Sequence, residues 1–449
     1  MSNRLFDWLN RFLVPLAGKI NNNRYLRVLR DAFMLAFPLT IFGSIAVVLV
    51  NLPFLEDVVG EAGVRRLQAL LGHAPESTMG ILSVFIVFGI GYYLSRSYEV
   101  EAIYGGAVAL ASFLLVTPFT LVAEGGQEIG GVIPLDRLGA KGMFVGIIVG
   151  MVSTEIYRWI VQRDITIKMP AGVPEAVSKS FASLIPVTVT LSFFLAVNIL
   201  FQELLKSNIH DVIYEVVQKP LVGLGSGLVP TLIAIFFVQL LWFFGLHGQI
   251  IVNSVMDPIW NTLSLENLEA FQRGAEVPHI INKQFIEIFT VAMGGSGMTL
   301  AVVVALLLFM RSKQLKQVGK LAIAPGIFNV NEPVIFGLPV VMNPLIVIPW
   351  ILAPMVVVAV TYFAMKLGLV PPPTGVTVPW TVPIFISGVL ATNSLAGGLM
   401  QIVNFLIVLA IWMPFLLALD RMNLQREAQS AGQGGAAGTT QRRSAAVSG

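Results

Sequence analysis

The chain has 449 residues, of which 56% are hydrophobic and 12% charged, against about 25% charged in soluble domains. With a mean hydropathy of +0.81 and a net charge of only +3, this excludes an ordinary soluble enzyme, a disordered chain and a nucleic-acid binder built on a basic surface. The absence of cysteine excludes disulfides, thiolate metal sites and a catalytic or phosphorylated thiol in this chain. His73, His210, His247 and His279 are scattered without ligand spacing, so neither a metal nor a cofactor is expected.

In chain order, residues 1–31 carry Arg4, Arg11, Lys19, Arg24, Arg27 and Arg30, and Leu5, Trp8, Phe12 and Leu16 fit one helical face. This predicts an N-terminal amphipathic helix on the cytoplasmic membrane surface, with Pro15 ending or kinking it. A crossing needs about 20 apolar residues. Crossings are predicted at Ala32–Pro53, Thr78–Leu94, Ala102–Val122, Gly142–Ile160, Ala182–Leu204 and Leu228–Gly245, with a short interfacial helix at Ile209–Leu221. Beyond residue 245 the pattern becomes irregular. Ile250–Leu263 and Phe285–Met310 flank a polar segment bearing Glu266, Glu269, Arg273, Glu276 and Lys283. Leu345–Met365 and Gly398–Leu419 are clean spans. Leu321–Pro344 and Val378–Leu395 are apolar but cut by Pro, Asn and Gly. From Asp420 on the chain is Gln/Ala/Gly/Ser-rich, and a disordered tail is expected.

Lys and Arg cluster in residues 1–31, 158–179, 311–320 and the tail, which places these segments in the cytoplasm. An even number of crossings must then lie between successive clusters. The expected fold is an all-α polytopic membrane protein with about ten transmembrane helices, both termini inside, and re-entrant hairpins at the two broken segments. The division expected is residues 1–31 amphipathic segment, 32–224 scaffold and dimer interface, 225–419 transport half and 420–449 tail.

Irregular backbone at membrane depth is tolerated only where it is buried in protein or lines a cavity, so broken segments point to a transport site. The charge map sharpens this. Glu332 is the only charged residue between Lys320 and Lys366, and between Lys219 and Asp257 only His247 titrates near neutrality. An isolated carboxylate in such a stretch is costly and usually functional. Asn331 and Pro333 beside it mark a helix break. His247 sits between Gly245 and Gly248 in Trp242–Gly248. A converging Glu and His hydrogen-bond hydroxyls or act as a general base. Tryptophan most often marks the interfacial belt, which all four of Trp242, Trp260, Trp350 and Trp380 fit, but Trp242 and Trp380 lie in the same broken stretches and fit a face on which a sugar ring packs equally well. Gly294-Gly295-Ser296-Gly297 reads as a helix break or close packing rather than a phosphate cradle, and no G-x-x-x-x-G-K-[ST] is present.

The stretch Gly326-Ile327-Phe328-Asn329-Val330-Asn331-Glu332-Pro333-Val334-Ile335-Phe336-Gly337-Leu338-Pro339, with Trp242–Gly248 and Lys168-Met169-Pro170-Ala171-Gly172-Val173-Pro174, resembles the membrane IIC component of sugar phosphotransferase systems, in the lactose/cellobiose/diacetylchitobiose family. The resemblance covers about residues 1–425. It implies a homodimer in the bacterial cell (inner) membrane. In it a disaccharide of cellobiose or diacetylchitobiose type is carried across, and its C6 hydroxyl is phosphorylated by a phosphorylated IIB protein. It also implies that Glu332 lies beside that hydroxyl, that His247 hydrogen-bonds the sugar near it, and that Trp242 and Trp380 pack on the rings; Asn331, at the helix break beside Glu332, is expected in the substrate site as well. The missing cysteine agrees with a phosphoryl donor on another chain. The alternative is an ion-coupled secondary sugar transporter without phosphorylation, in which Glu332 would carry the proton.

Overall fold

Asn23 starts the first long helix: its side chain accepts the Leu26 amide at 3.2 Å, and the chain then runs as α1 (Arg24–Val50). This computed structural model describes residues 15, 18–51, 55–122, 127–338 and 340–447. The amphipathic face expected of Leu5, Trp8, Phe12 and Leu16 lies outside the described residues. The boundary expected at residue 31 moves, because the helix that was to begin at Ala32 starts inside the basic segment, where Val28 and Leu29 are already buried.

The N-terminal half continues as α2 (Leu82–Ser97), α3 (Ala102–Val116), α4 (Met143–Gln162) and α5 (Glu175–Leu204). These are mutually packed in chain order through small residues. A Cβ added at Gly91 would collide with the Gly105 carbonyl across the α2–α3 contact. The α3 crossing, expected to reach Val122, stops at Val116. Pro118 forces the preceding Thr117 into extended backbone (ψ 133), and Thr120–Val122 instead pairs antiparallel with Glu128–Gly130. The interfacial segment after Asn208 is one helical path with a π turn at Tyr214–Gln218, bent by 72° from the next helix, α6 (Leu228–Phe243).

The C-terminal half consists of α7 (Gly248–Gln272), α8 (Lys283–Phe289), α9 (Leu300–Leu308), α10 (Lys313–Ile327), α11 (Glu332–Gly337), α12 (Val347–Lys366), α13 (Ile386–Thr392) and α14 (Leu395–Val447). Two expectations change. α7 does not stop at Leu263; Leu265 and Leu268 are buried while Glu266 faces a less buried side, so an amphipathic pattern carries the helix to Gln272. The apolar stretch Phe285–Met310 is not one helix, because Gly294, Gly295 and Gly297 take φ values of +98, +78 and +75, a region that side chains strain to enter. The expected disordered tail is corrected in its first turns. α14 runs straight through Asp420, whose Oδ1 accepts the Arg311 and Ser312 amides at 3.0 and 2.7 Å, while Glu427 accepts the Ser312 hydroxyl at 2.8 Å.

Among the described residues, five helices are long and apolar enough to cross a membrane alone, and six if the bent pair at 209–243 is one span. α2 and α3 are apolar but shorter. Three main cores form among the described residues. One packs α1, α2 and α4 around Ile90, Leu94 and Met143. A second packs α6, α7, α8 and α12 around Trp260, Phe285 and Phe289. The third packs α9, α12 and α14 around Trp350 and Trp412, whose rings meet edge to face at 6.4 Å. Trp350 and Trp260 are fully buried, so neither forms an interfacial belt. The Trp350 indole donates to the Gln239 carbonyl at 3.2 Å.

Candidate functional site

α6 ends where Gly245 takes φ +77. The chain then reverses so tightly that a Cβ at Gly248 would collide with the Val238 carbonyl. This turn brings the rings of Trp242 and His247 to 4.5 Å. His247 caps α7: its Nδ1 accepts the Ile250 amide at 3.3 Å. A neutral ring held this way carries its proton on Nε2, which becomes a donor. The Trp242 indole N–H is buried and has no partner among the described residues.

A second turn follows α10. Asn329 sits in the left-handed region at φ +65 and is buried. Its Oδ1 accepts the Gly294 amide at 2.7 Å, and its Nδ2 donates to the carbonyls of Trp380 at 2.7 Å and Val382 at 3.1 Å. Asn331 donates to the Ser296 carbonyl at 2.7 Å, and Ser296 in turn donates to Gln249 at 2.5 Å. The Gly294–Gly297 run is therefore the break against which the Glu332 turn is seated. Glu332 opens α11, with Pro333 in the first turn, where no intrahelical N–H is needed. Its carboxylate is exposed and accepts no hydrogen bond among the described residues.

These two turns face one cavity of about 420 Å³. Trp242, His247, Asn331, Glu332 and Trp380 all line it. Asn331 commits its amide nitrogen to backbone, so within the wall it acts as a support for the Glu332 turn. Two parts of the cavity were not expected. One wall is α1, through Arg30, Phe33 and Phe37, although the N-terminal half reads as scaffold. The other is an ion cluster: Lys283 Nζ lies 2.6 Å from Asp257 and 3.1 Å from Glu287. Both carboxylates line the cavity. Asp257 carried a signal, because it is the first charged residue after Lys219. Lys283 carried none, since it stands among other charges in a segment that reads as a loop.

The chemistry on offer is recognition of a neutral, hydroxyl-rich molecule. Indole rings supply apolar contact, amide and carboxylate groups supply hydrogen bonds, and one unshared carboxylate lines the same cavity as an imidazole.

Comparison with known proteins is in keeping with this chemistry. The family profile described as phosphotransferase system, EIIC matches residues 30–354. The chain is 66% identical to the PTS system oligo-beta-mannoside-specific EIIC component of Bacillus subtilis (strain 168), over 96% of this chain and 97% of that protein. It is 42% identical to the PTS system cellobiose-specific EIIC component of Geobacillus stearothermophilus, over 94% and 96% of the two chains. Its fold is similar to the crystal structure of the transporter ChbC, the IIC component from the N,N'-diacetylchitobiose-specific phosphotransferase system. That match has a TM-score of 0.88 and 42% identity, and covers 94% of this chain and 99% of that one. The chain belongs to the phosphotransferase system EIIC family, and is a multi-pass membrane sugar permease.

Proposed function

We propose that this EIIC permease binds a β-linked disaccharide in the cavity between α1, α7 and the Glu332 turn, moves it inward, and presents its C6 hydroxyl to a phosphorylated IIB protein. The observation that carries the reading is the placement of Glu332, His247, Trp242 and Trp380 around one cavity. Phosphoryl transfer is largely positioning and electrostatics, so the permease needs only to orient the hydroxyl and accept its proton. Glu332 is the acceptor, because its carboxylate is open to the cavity and unshared. His247 donates from Nε2 and orients the same hydroxyl. Trp242 and Trp380 hold the ring faces. The phosphate comes from another chain, since this one has no cysteine to carry it. An oligo-β-mannoside is the first substrate to test, given the 66% identical relative, with cellobiose and diacetylchitobiose next. The working form is a homodimer with both termini cytoplasmic, and the basic segments at 158–179 and 311–320 face the IIB protein.

The test uses sealed vesicles holding the full chain. Sugar 6-phosphate is expected inside only when the IIB protein and its phosphoryl relay are supplied. Accumulation of unmodified sugar driven by a proton gradient alone would overturn the reading in favour of ion-coupled transport.

A further inference from the structure

A second, much smaller cavity of about 10 Å³ adjoins the Gly294–Gly297 break. Gln249, Asn253, Gly295 and Ser296 line both this cavity and the large one, so they form the partition between the two. Behind the partition the walls are α6, through Ile235 and Gln239, and α7, through Trp260.

Two polar groups end here without a partner. Trp260 is 0% exposed and Gln239 3%, and neither the Trp260 indole N–H nor Gln239 Oε1 makes a hydrogen bond among the described residues. Buried polar atoms left unpaired are costly and rare, and at membrane depth bulk water does not relieve them. The two atoms are complementary: an indole N–H only donates, and an amide oxygen only accepts. Helical side chains lean toward the N-terminus of their own helix. α6 enters the turn at Gly245–Gly248 and α7 leaves it, so Gln239 leans away from the turn and Trp260 leans toward it. Their tips therefore approach one level of the helix pair from opposite directions.

Whatever joins them must accept from one and donate to the other. A cation would satisfy Gln239 and be repelled by the indole N–H, and an anion would do the reverse. Water does both, and a cavity of about 10 Å³ is the space one water needs. We infer that this cavity binds a single water molecule, which accepts from Trp260 Nε1–H and donates to Gln239 Oε1. Asn253, whose side chain makes no hydrogen bond among the described residues, is its third partner. The water joins two cores. Trp260 belongs to the core around Phe285 and Phe289. The Gln239 carbonyl accepts from the Trp350 indole at 3.2 Å, and Trp350 belongs to the core it shares with Trp412. The water also backs the partition, where the Ser296 carbonyl accepts from Asn331 at 2.7 Å, so it supports from behind the break on which the Glu332 turn is seated.

The experiment is X-ray radiolytic footprinting of the purified full chain in detergent. The pulse splits bound water into hydroxyl radicals, which oxidise the side chains beside it even when these are buried. Met298 also lines the small cavity and is 1% exposed. The controls, Trp412 and Met143, are 0% exposed and line neither cavity, and the Trp412 N–H is likewise unpartnered among the described residues. Trp260 is expected to oxidise several-fold faster than Trp412, and Met298 several-fold faster than Met143. Gln239→Met keeps the length of the side chain and removes the acceptor. It is expected to bring both rates down to those of the controls and to lower the melting temperature, because the water loses a bond. Wild-type rates no faster than the controls would overturn the inference, and that comparison needs no variant to fold. A melting temperature raised by Gln239→Met would overturn it as well, since removing an oxygen that is merely unpaired relieves a buried penalty.

Discussion

Two regions of the chain, the α2–α3 contact and the turns at the cavity, use glycine in opposite ways. In α2 and α3, glycines keep helical backbone and let two regular helices touch; Gly91 lies against the Gly105 carbonyl. At the cavity, Gly245, Gly294, Gly295 and Gly297 all take positive φ and stop helices. The first use builds a wall and the second opens one. A lipid-embedded chain is free to break its helices only where other protein groups satisfy the released backbone. Asn329, Asn331 and His247 do that work, and the side chains at the breaks then face the cavity. The division is incomplete, because α1 supplies a wall of the cavity. Ser44 also reaches across, accepting the Thr377 amide at 2.7 Å.

The contrast breaks most sharply at Glu332. Glu332→Gln is expected to lower IIB-dependent sugar phosphorylation in vesicles by about 100-fold or more, with membrane insertion unchanged; normal phosphorylation would remove the carboxylate from its role. In the regular half, Gly91→Ala is expected to cost about 1–3 kcal/mol of stability by overpacking. Thermal melting reads that loss, and sugar affinity should stay within about twofold. If affinity falls as much as stability does, the halves are not separable. His247→Ala should weaken disaccharide binding about tenfold, the loss of one hydrogen bond and one ring contact, measured by equilibrium titration. Ser44→Ala tests the bridge between halves and should lower stability by about 1 kcal/mol. An unchanged melting temperature would mean the Thr377 amide finds another acceptor.

Much of this was legible before any coordinates. Runs such as Ala32–Val50 and Val347–Met365 are apolar throughout, and one-dimensional hydropathy is enough to see them. Glu332 and His247 stood out for the converse reason, as single polar groups in long uncharged stretches. Lys283 was illegible because its meaning is tertiary. Beside Glu276 it resembles a loop charge, and only the contact with Asp257, 26 residues away, makes it a cavity group. The break at Gly294–Gly297 was visible as a motif, but the halving of the Phe285–Met310 helix was not. Hydropathy averages over glycine, while the backbone angle it adopts depends on Asn329, 35 residues later. Asn331 illustrates a third case: it lines the cavity, but its amide nitrogen donates to backbone.

Asn329 has a consequence for the thermodynamics of binding. One side chain ties the Gly294 turn, the Glu332 turn and the Trp380 segment together. Loops that are loose before a ligand arrives must be ordered when it binds, and that ordering subtracts from affinity. Here three irregular segments are fixed relative to one another by the protein's own hydrogen bonds. The entropy of arranging them was lost during folding, so a weakly held, water-loving molecule meets a preorganised surface.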